Sequence, residues 1–222
     1  DVDALVLNGK FLRATGDDEL SYKQFSHADA LSPNLPVVKQ QLANYEAEHG
    51  LAKHAYDNIR AAVSLAPENS VYRLQLAQLI LFFREELIAK HGFSQAALDA
   101  ELSQSYARAA ELEPENGEIR KKYALSFYDL GRADWNEALR QWDIVLEKFS
   151  PLNIDKQTAK ANRARVLVEL GRDAEAREAL KTIDAPALQA DKRKLIEIID
   201  SAKNGAEQTK TESDFQWTFF RK

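Results

Sequence analysis

At 222 residues the chain is long enough to bury a sizeable core, as one elongated domain or two compact ones. Hydrophobic residues make up 45% and charged residues 29%, which excludes a disordered composition. A formal net charge of −5 argues against a nucleic-acid surface, because neutralising phosphates takes clustered Lys and Arg.

The densest basic groups are small and suit solvated helix faces: Lys121 with Lys122, Lys192 to Lys194, and Arg221 with Lys222. The longest apolar run, residues 79–83, is far short of the ~20 residues of a membrane span, so no membrane insertion is expected. The absence of cysteine rules out disulfides and thiol catalysis and fits cytoplasm and periplasm equally. No signal peptide is visible, and a sequence beginning at Asp1 without methionine is compatible with a leader that has been removed or trimmed away. Methionine is also absent, for which there is no physical account.

The first predicted helix covers residues 3–14, with Leu5, Leu7, Phe11 and Leu12 apolar and Gly9 allowing a close helix contact. Gly16 stops it as a left-handed C-cap. Asp17, Asp18 and Glu19 then open a second helix, where carboxylates meet the positive end of the dipole; helix-start chemistry explains them better than a metal site. This second helix, SYKQFSHADALSPN, is echoed as AYDNIRAAVSLAPEN from Ala55 and as LSQSYARAAELEPEN from Leu102. Large residues recur four places in (Phe25, Ile59, Tyr106), alanines three further (Ala28, Ala62, Ala109), and prolines five beyond those (Pro33, Pro67, Pro114). Pro33 and Pro67 stand 34 residues apart, as do Gly16 and Gly50.

The third unit breaks the period, with Pro114 falling 47 residues after Pro67. The excess lies around residues 84–98, where Gly92 and Ser94 supply a C-cap and an N-cap, so both helices of this hairpin are predicted longer by nearly two turns. Phe82, Phe83, Leu87 and Ile88 are expected to face Phe93, Ala97 and Leu98, with the tip clear of its neighbours and Phe93 exposed as an anchor. A fourth pair breaks at Gly131 and restarts at Asp134, which forms an acidic capping box with Glu137. A long loop over residues 150–156 leads to a fifth pair, broken at Gly171 and capped by Asp173. A charged helix over residues 188–202 closes the array with a polar outer face. A polar linker, residues 204–214, precedes the aromatic ending FQWTFF, in which Phe215, Trp217 and Phe219 alternate with polar residues.

With these residues the chain resembles the tetratricopeptide repeat family over nearly all of residues 2–183. The family's small eighth place is Gly9, Ala43, Ala77, Ala124 and Ala164 in the five repeats. The departures are Leu5, Lys39, Arg73, Arg120 and Lys160 at the usual aromatic fourth place, and Leu102 at a small one, which predicts looser packing there. The resemblance implies an all-α, right-handed α-solenoid, a superhelix of antiparallel helix pairs. Its repeats are 2–35, 36–69, 70–116, 117–152 and 157–185, with a capping helix 187–203 and a tail 204–222. It also implies that the first helices line a concave groove for a peptide or helix. That face carries Lys10, Arg13, Gln40, Gln41, Asn44, Gln75, Gln78, Lys121, Tyr128 and Arg165. Amides and bases at one-turn spacing suit an extended acidic or polar peptide. The family's clamp for C-terminal carboxylates is absent: its places hold Val6, Lys10, Gln41, Val71 and Gln75, or Gln40, Asn44, Gln75, Glu118 and Lys122 one repeat on.

No phosphate loop, nucleophile elbow or zinc-protease motif occurs. His49 and His54 straddle Gly50, His27 and His91 stand apart, and neighbouring Glu85 and Glu86 point away from each other on a helix. The expectation is no enzyme activity, no metal and no cofactor. A non-catalytic scaffold binding another protein is the first reading. The alternative is a structural subunit, associating through the third hairpin (Phe93) and the tail (Phe215, Trp217, Phe219), the tail offering a route to homo-oligomers.

Overall fold

The computed structural model describes residues 1–203, and among these there are eleven α-helices, two 3-10 turns and no strand. They fall into two compact units, Asp1–Ile119 and Arg120–Lys222. The aromatic tail with Phe215, Trp217 and Phe219 lies outside the described residues.

Unit 1 holds three antiparallel hairpins: α1 (Val2–Thr15) with α2 (Asp18–Leu31), α3 (Pro36–Glu48) with α4 (Ala52–Leu65), and α5 (Ser70–His91) with α6 (Gln95–Leu112). Their starts are written locally. Asp1, Asn69 and Ser94 accept backbone N–H bonds at the heads of α1, α5 and α6, each removing an orphan donor. Gly16, Gly50, Gly92 and Gly171 all have positive φ, so four of the five first helices stop on the left-handed cap that glycine tolerates.

The residues that repeat in the sequence are those that the packing buries. Phe25, Ile59 and Tyr106, with Ala28, Ala62 and Ala109, are all inside. At the eighth place of the repeats Ala43, Ala77, Ala124 and Ala164 are buried as well. Gly9 shows why the place is small: a Cβ there would sit 2.9 Å from the Phe25 ring. The same crossing is fastened by the Ser21 hydroxyl, which donates to the Gly9 carbonyl at 2.8 Å. Leu102, predicted to loosen its hairpin, is fully buried; a large apolar side chain is accommodated there without exposure.

The third hairpin is longer, as the spacing predicts, but unequally. Helix α5 has 22 residues and α6 has 18, against 14 in α4. Phe83, Leu87 and Leu98 are buried, whereas Phe82 turns outward, 81% exposed, and Ala97 is exposed too. A helical period places Phe82 about 100° from Phe83, so both cannot face one partner. The tip does not stand clear. Phe93 is half-buried and meets Tyr56 of α4 edge-on at 4.9 Å between ring centres, with the Lys53 ammonium 5.9 Å from its ring. Tyr56 also donates to Glu101, which takes a second bond from Arg60 at 3.0 Å. The extra turns are thus packed against the second repeat, and Phe93 is not a free anchor. Arg84 and Asp99 pair at 2.9 Å between the lengthened helices.

In unit 2, α8 (Trp135–Lys148) packs on α9 (Asn153–Glu169), α9 on α10 (Asp173–Lys181), and α11 (Gln189–Lys203) against α9 and α10. Helix α7 (Gly117–Ser126) ends not at Gly131 but in a 3-10 turn, Phe127–Asp129, and Gly131 has no positive φ. Asp134 caps α8 by accepting from the N–H groups of Asn136 and Glu137. The reciprocal half of the capping box is missing, because the Glu137 carboxylate accepts from Arg140 and Gln141 instead. Asp173 is the first residue of α10 rather than its cap. The long loop predicted at residues 150–156 is shortened because α9 already begins at Asn153. Leu188, Leu195 and Ile199 are buried as the terminal helix requires, although Ile198 is exposed.

Candidate functional site

The amides predicted for the groove converge in unit 1. Gln40 and its neighbour Gln41 come from α3, and Gln75 comes from α5. Gln41 donates to Gln40 at 2.9 Å, and Gln40 donates to Gln75 at 3.2 Å. Gln75 in turn points its amide nitrogen at the Asn44 side-chain oxygen, 3.5 Å away. Each amide carries more donors and acceptors than this row uses, so the row keeps polar capacity for a ligand backbone.

Beside it opens a cavity of about 430 Å³, lined by Ala43, Asn44, Ala47 and Glu48 of α3, Ile59 of α4, and Gln75, Gln78, Leu79, Phe82 and Phe83 of α5. Its volume is within the range of small ligand pockets. The lining is mixed: aliphatic and aromatic carbon on the walls, amides on one side, one carboxylate on the rim. Phe82, Ala47, Glu48, Ile59 and Leu79 are not among the sequence-predicted site residues. Phe82 was legible, since it lies one turn after Gln78 on the same face; its assignment to the hairpin seam hid it.

The basic members of the predicted set behave differently. Lys10 is exposed on α1. Arg13 is held by the scaffold: it donates to Asp18 at 3.1 Å and pairs with Glu48, tying α1 to α2 and α3. It is not available to a ligand as the sequence suggested. Lys121, Tyr128 and Arg165 belong to unit 2. There the Arg165 guanidinium lies 3.8 Å from the centre of the Tyr128 ring, and the Tyr128 hydroxyl donates to the Asn162 carbonyl at 2.9 Å. Burial pushes the Arg165 guanidinium below its usual range and the Tyr128 hydroxyl above its own. This pair is a packed cation–π contact.

A polar centre that the sequence did not disclose sits behind the amide row. Glu46, buried on α3, accepts from the Asn58 amide nitrogen on both carboxylate oxygens, at 2.8 and 3.1 Å, and from Tyr22 at 3.3 Å. Desolvation raises its pKa above the ordinary glutamate value, in spite of these donors. Tyr22 stacks on Tyr45 at 4.2 Å, and Tyr45 on His49 at 3.8 Å. Among the described residues no group of three His, Asp or Glu could hold a metal, and no helix is long and apolar enough to cross a membrane.

No protein-family model matches the chain, and no curated protein sequence matches it. Solved structures do. The chain is similar to YrrB, described as a tetratricopeptide-repeat protein with an unusual peptide-binding site, at 16% identity, 92% of each chain and a TM-score of 0.64. It is also similar to MamA at 14% identity, 92% of this chain and 95% of that one, with a TM-score of 0.60. The molecule is therefore an all-α solenoid of helix pairs. Its fold is that of the tetratricopeptide-repeat proteins.

Proposed function

We propose that the chain is a non-catalytic interaction scaffold that binds a peptide segment of another protein in the cavity of unit 1. The observation that carries this reading is Phe82, 81% exposed on the wall of a cavity whose other side is an amide row. An isolated exposed phenylalanine is ordinary, but one set in a recess with aliphatic neighbours and amides is built like an anchor pocket. The amides would pair with the ligand backbone and the recess would take one apolar side chain, the usual division of labour in peptide recognition. The fold shared with YrrB, whose own peptide-binding site is part of its description, supports the reading by analogy. Gln40, Gln41, Asn44, Gln75 and Gln78 are the binding residues, joined by Phe82, with Lys10 at the α1 end. Lys121, Tyr128 and Arg165 are left out because they belong to unit 2 and do not line this cavity.

The test is a random-peptide display selection against the full chain, followed by calorimetry on the enriched peptides. Phe82→Ala and the pair Asn44→Ala with Gln75→Ala should each weaken them by about tenfold or more, roughly 1.4 kcal/mol, without lowering the melting temperature. A selection that enriches nothing, or peptides indifferent to both changes, overturns the reading.

A further inference from the structure

Resting on the groove reading above, we propose that the cavity of unit 1 selects an uncharged aromatic side chain of the bound segment, and that Arg13 sets this preference by masking the Glu48 carboxylate on the rim.

The aromatic preference comes from the walls. Phe82 and Phe83 meet edge-on, with ring centres 4.7 Å apart at 82°, and both line the recess. Phe83 is buried and holds its place, whereas Phe82 is 81% exposed. A third ring laid against Phe82 continues this pairing. Ring pairs gain over an aliphatic contact of the same area, because face and edge carry opposite partial charge. On the α3 side Ala43 and Ala47 contribute only methyl groups, which leaves width for a flat side chain in a volume of about 430 Å³.

The preference for an uncharged anchor comes from the rim. Among the described residues that line the recess Glu48 is the one with a charge, and Asn44, Gln75 and Gln78 are neutral amides. The Glu48 carboxylate is taken by Arg13 of α1, which also donates to Asp18 at 3.1 Å. Asp18 lies in the first turn of α2, where the positive end of the helix offsets its charge. The Arg13 charge is therefore left to cancel that of Glu48. A charged side chain entering the recess loses water and meets no unpaired opposite charge, so it is rejected.

Arg13 acts through Glu48 rather than on the ligand, which makes it a positioning residue. The Glu48 side chain is half exposed, so without Arg13 it becomes a free carboxylate at the mouth of the recess. A basic residue beside the anchor is then attracted, and an acidic one repelled, by the modest amount that an exposed pair supplies.

A random-peptide display library is selected in parallel against the full chain and against Arg13→Gln. With the unsubstituted chain, the enriched peptides should share Phe, Tyr or Trp at one place and carry no charge beside it. One of them is then synthesised with Leu, Glu or Lys at the anchor, and with Lys or Glu next to the aromatic anchor, for calorimetry. Leu should weaken binding about threefold or more, and either charge about tenfold or more. The affinity ratio of the Lys-flanked to the Glu-flanked peptide should stay within about twofold of unity in the unsubstituted chain and in Arg13→Lys. In Arg13→Gln it should rise about threefold or more, and fall back in about 0.5 M salt. Lost folding does not move this ratio, because a smaller folded fraction weakens both peptides alike. Equal binding of the Leu version, tolerance of a charged anchor, or a ratio unmoved by Arg13→Gln overturns the proposal. Those outcomes leave the groove reading standing as long as the peptides still depend on Phe82. A selection that enriches nothing, or peptides indifferent to Phe82→Ala, overturns the groove reading and this proposal with it.

Discussion

Glu46 holds three helices together through one side chain: it is on α3, Asn58 on α4 and Tyr22 on α2. The cost is that a carboxylate is buried at 4% exposure beside the groove. Because its pKa is raised in the folded chain, its contribution to stability is fully present below the unfolded-state pKa of ~4.3 and is lost as pH rises through the folded value. Glu46→Gln keeps an acceptor for Asn58 and carries no charge. Its stability relative to the unsubstituted chain should therefore improve between pH 4 and pH 7, as read by urea unfolding at several pH values. A difference that stays constant with pH would show that Glu46 titrates alike in both states. No periodicity marks Glu46, since in sequence it is one more polar residue on an amphipathic helix. Arg13 illustrates the same limit from the other side, because its pairing with Glu48 spans 35 residues of sequence.

At the scale of elements, the turns and seams were legible and the lengthened hairpin was legible in part. Gly16, Gly50, Gly92 and Gly171 mark helix ends because a left-handed cap has few other residues to choose from. Gly131 misled, since the helix before it tightens into a 3-10 turn and needs no such cap. The excess length in the third repeat was visible from the proline spacing, but its destination was not: spacing counts residues and says nothing of where a tip packs. The ring contact between Phe93 and Tyr56 makes a definite expectation. Phe93→Ala should cost about 1–3 kcal/mol, the sum of lost apolar burial and an edge-to-face pair, and trimming residues 84–98 should destabilise more. Chemical denaturation with an unchanged m-value is the check. A cost under about 0.5 kcal/mol would return the tip to the list of free surfaces.

At the scale of the molecule, stability in such a stack is a sum of helix-pair terms and nearest-neighbour contacts. Phe25 serves both, in a cluster with Ala28 of α2 and with Val38 and Leu42 of α3. Phe25→Ala should cost about 3–5 kcal/mol locally and strip hydrogen-exchange protection from α1, α2 and α3. The amides of α9, α10 and α11 in unit 2 should keep theirs; equal loss in both units would mean that the chain unfolds as one block. The recess at Phe82 follows from the same modular economy. Helix α3 stops at Glu48 after 13 residues, whereas α5 runs on for 22. Phe82 comes level with the last residue of α3 and so has a wall on one side only. A mismatch in length between two neighbouring rods has made a ledge, and a repeat array can acquire a binding specificity of its own by adding turns to a single hairpin, provided that the repeat beside it packs the added length.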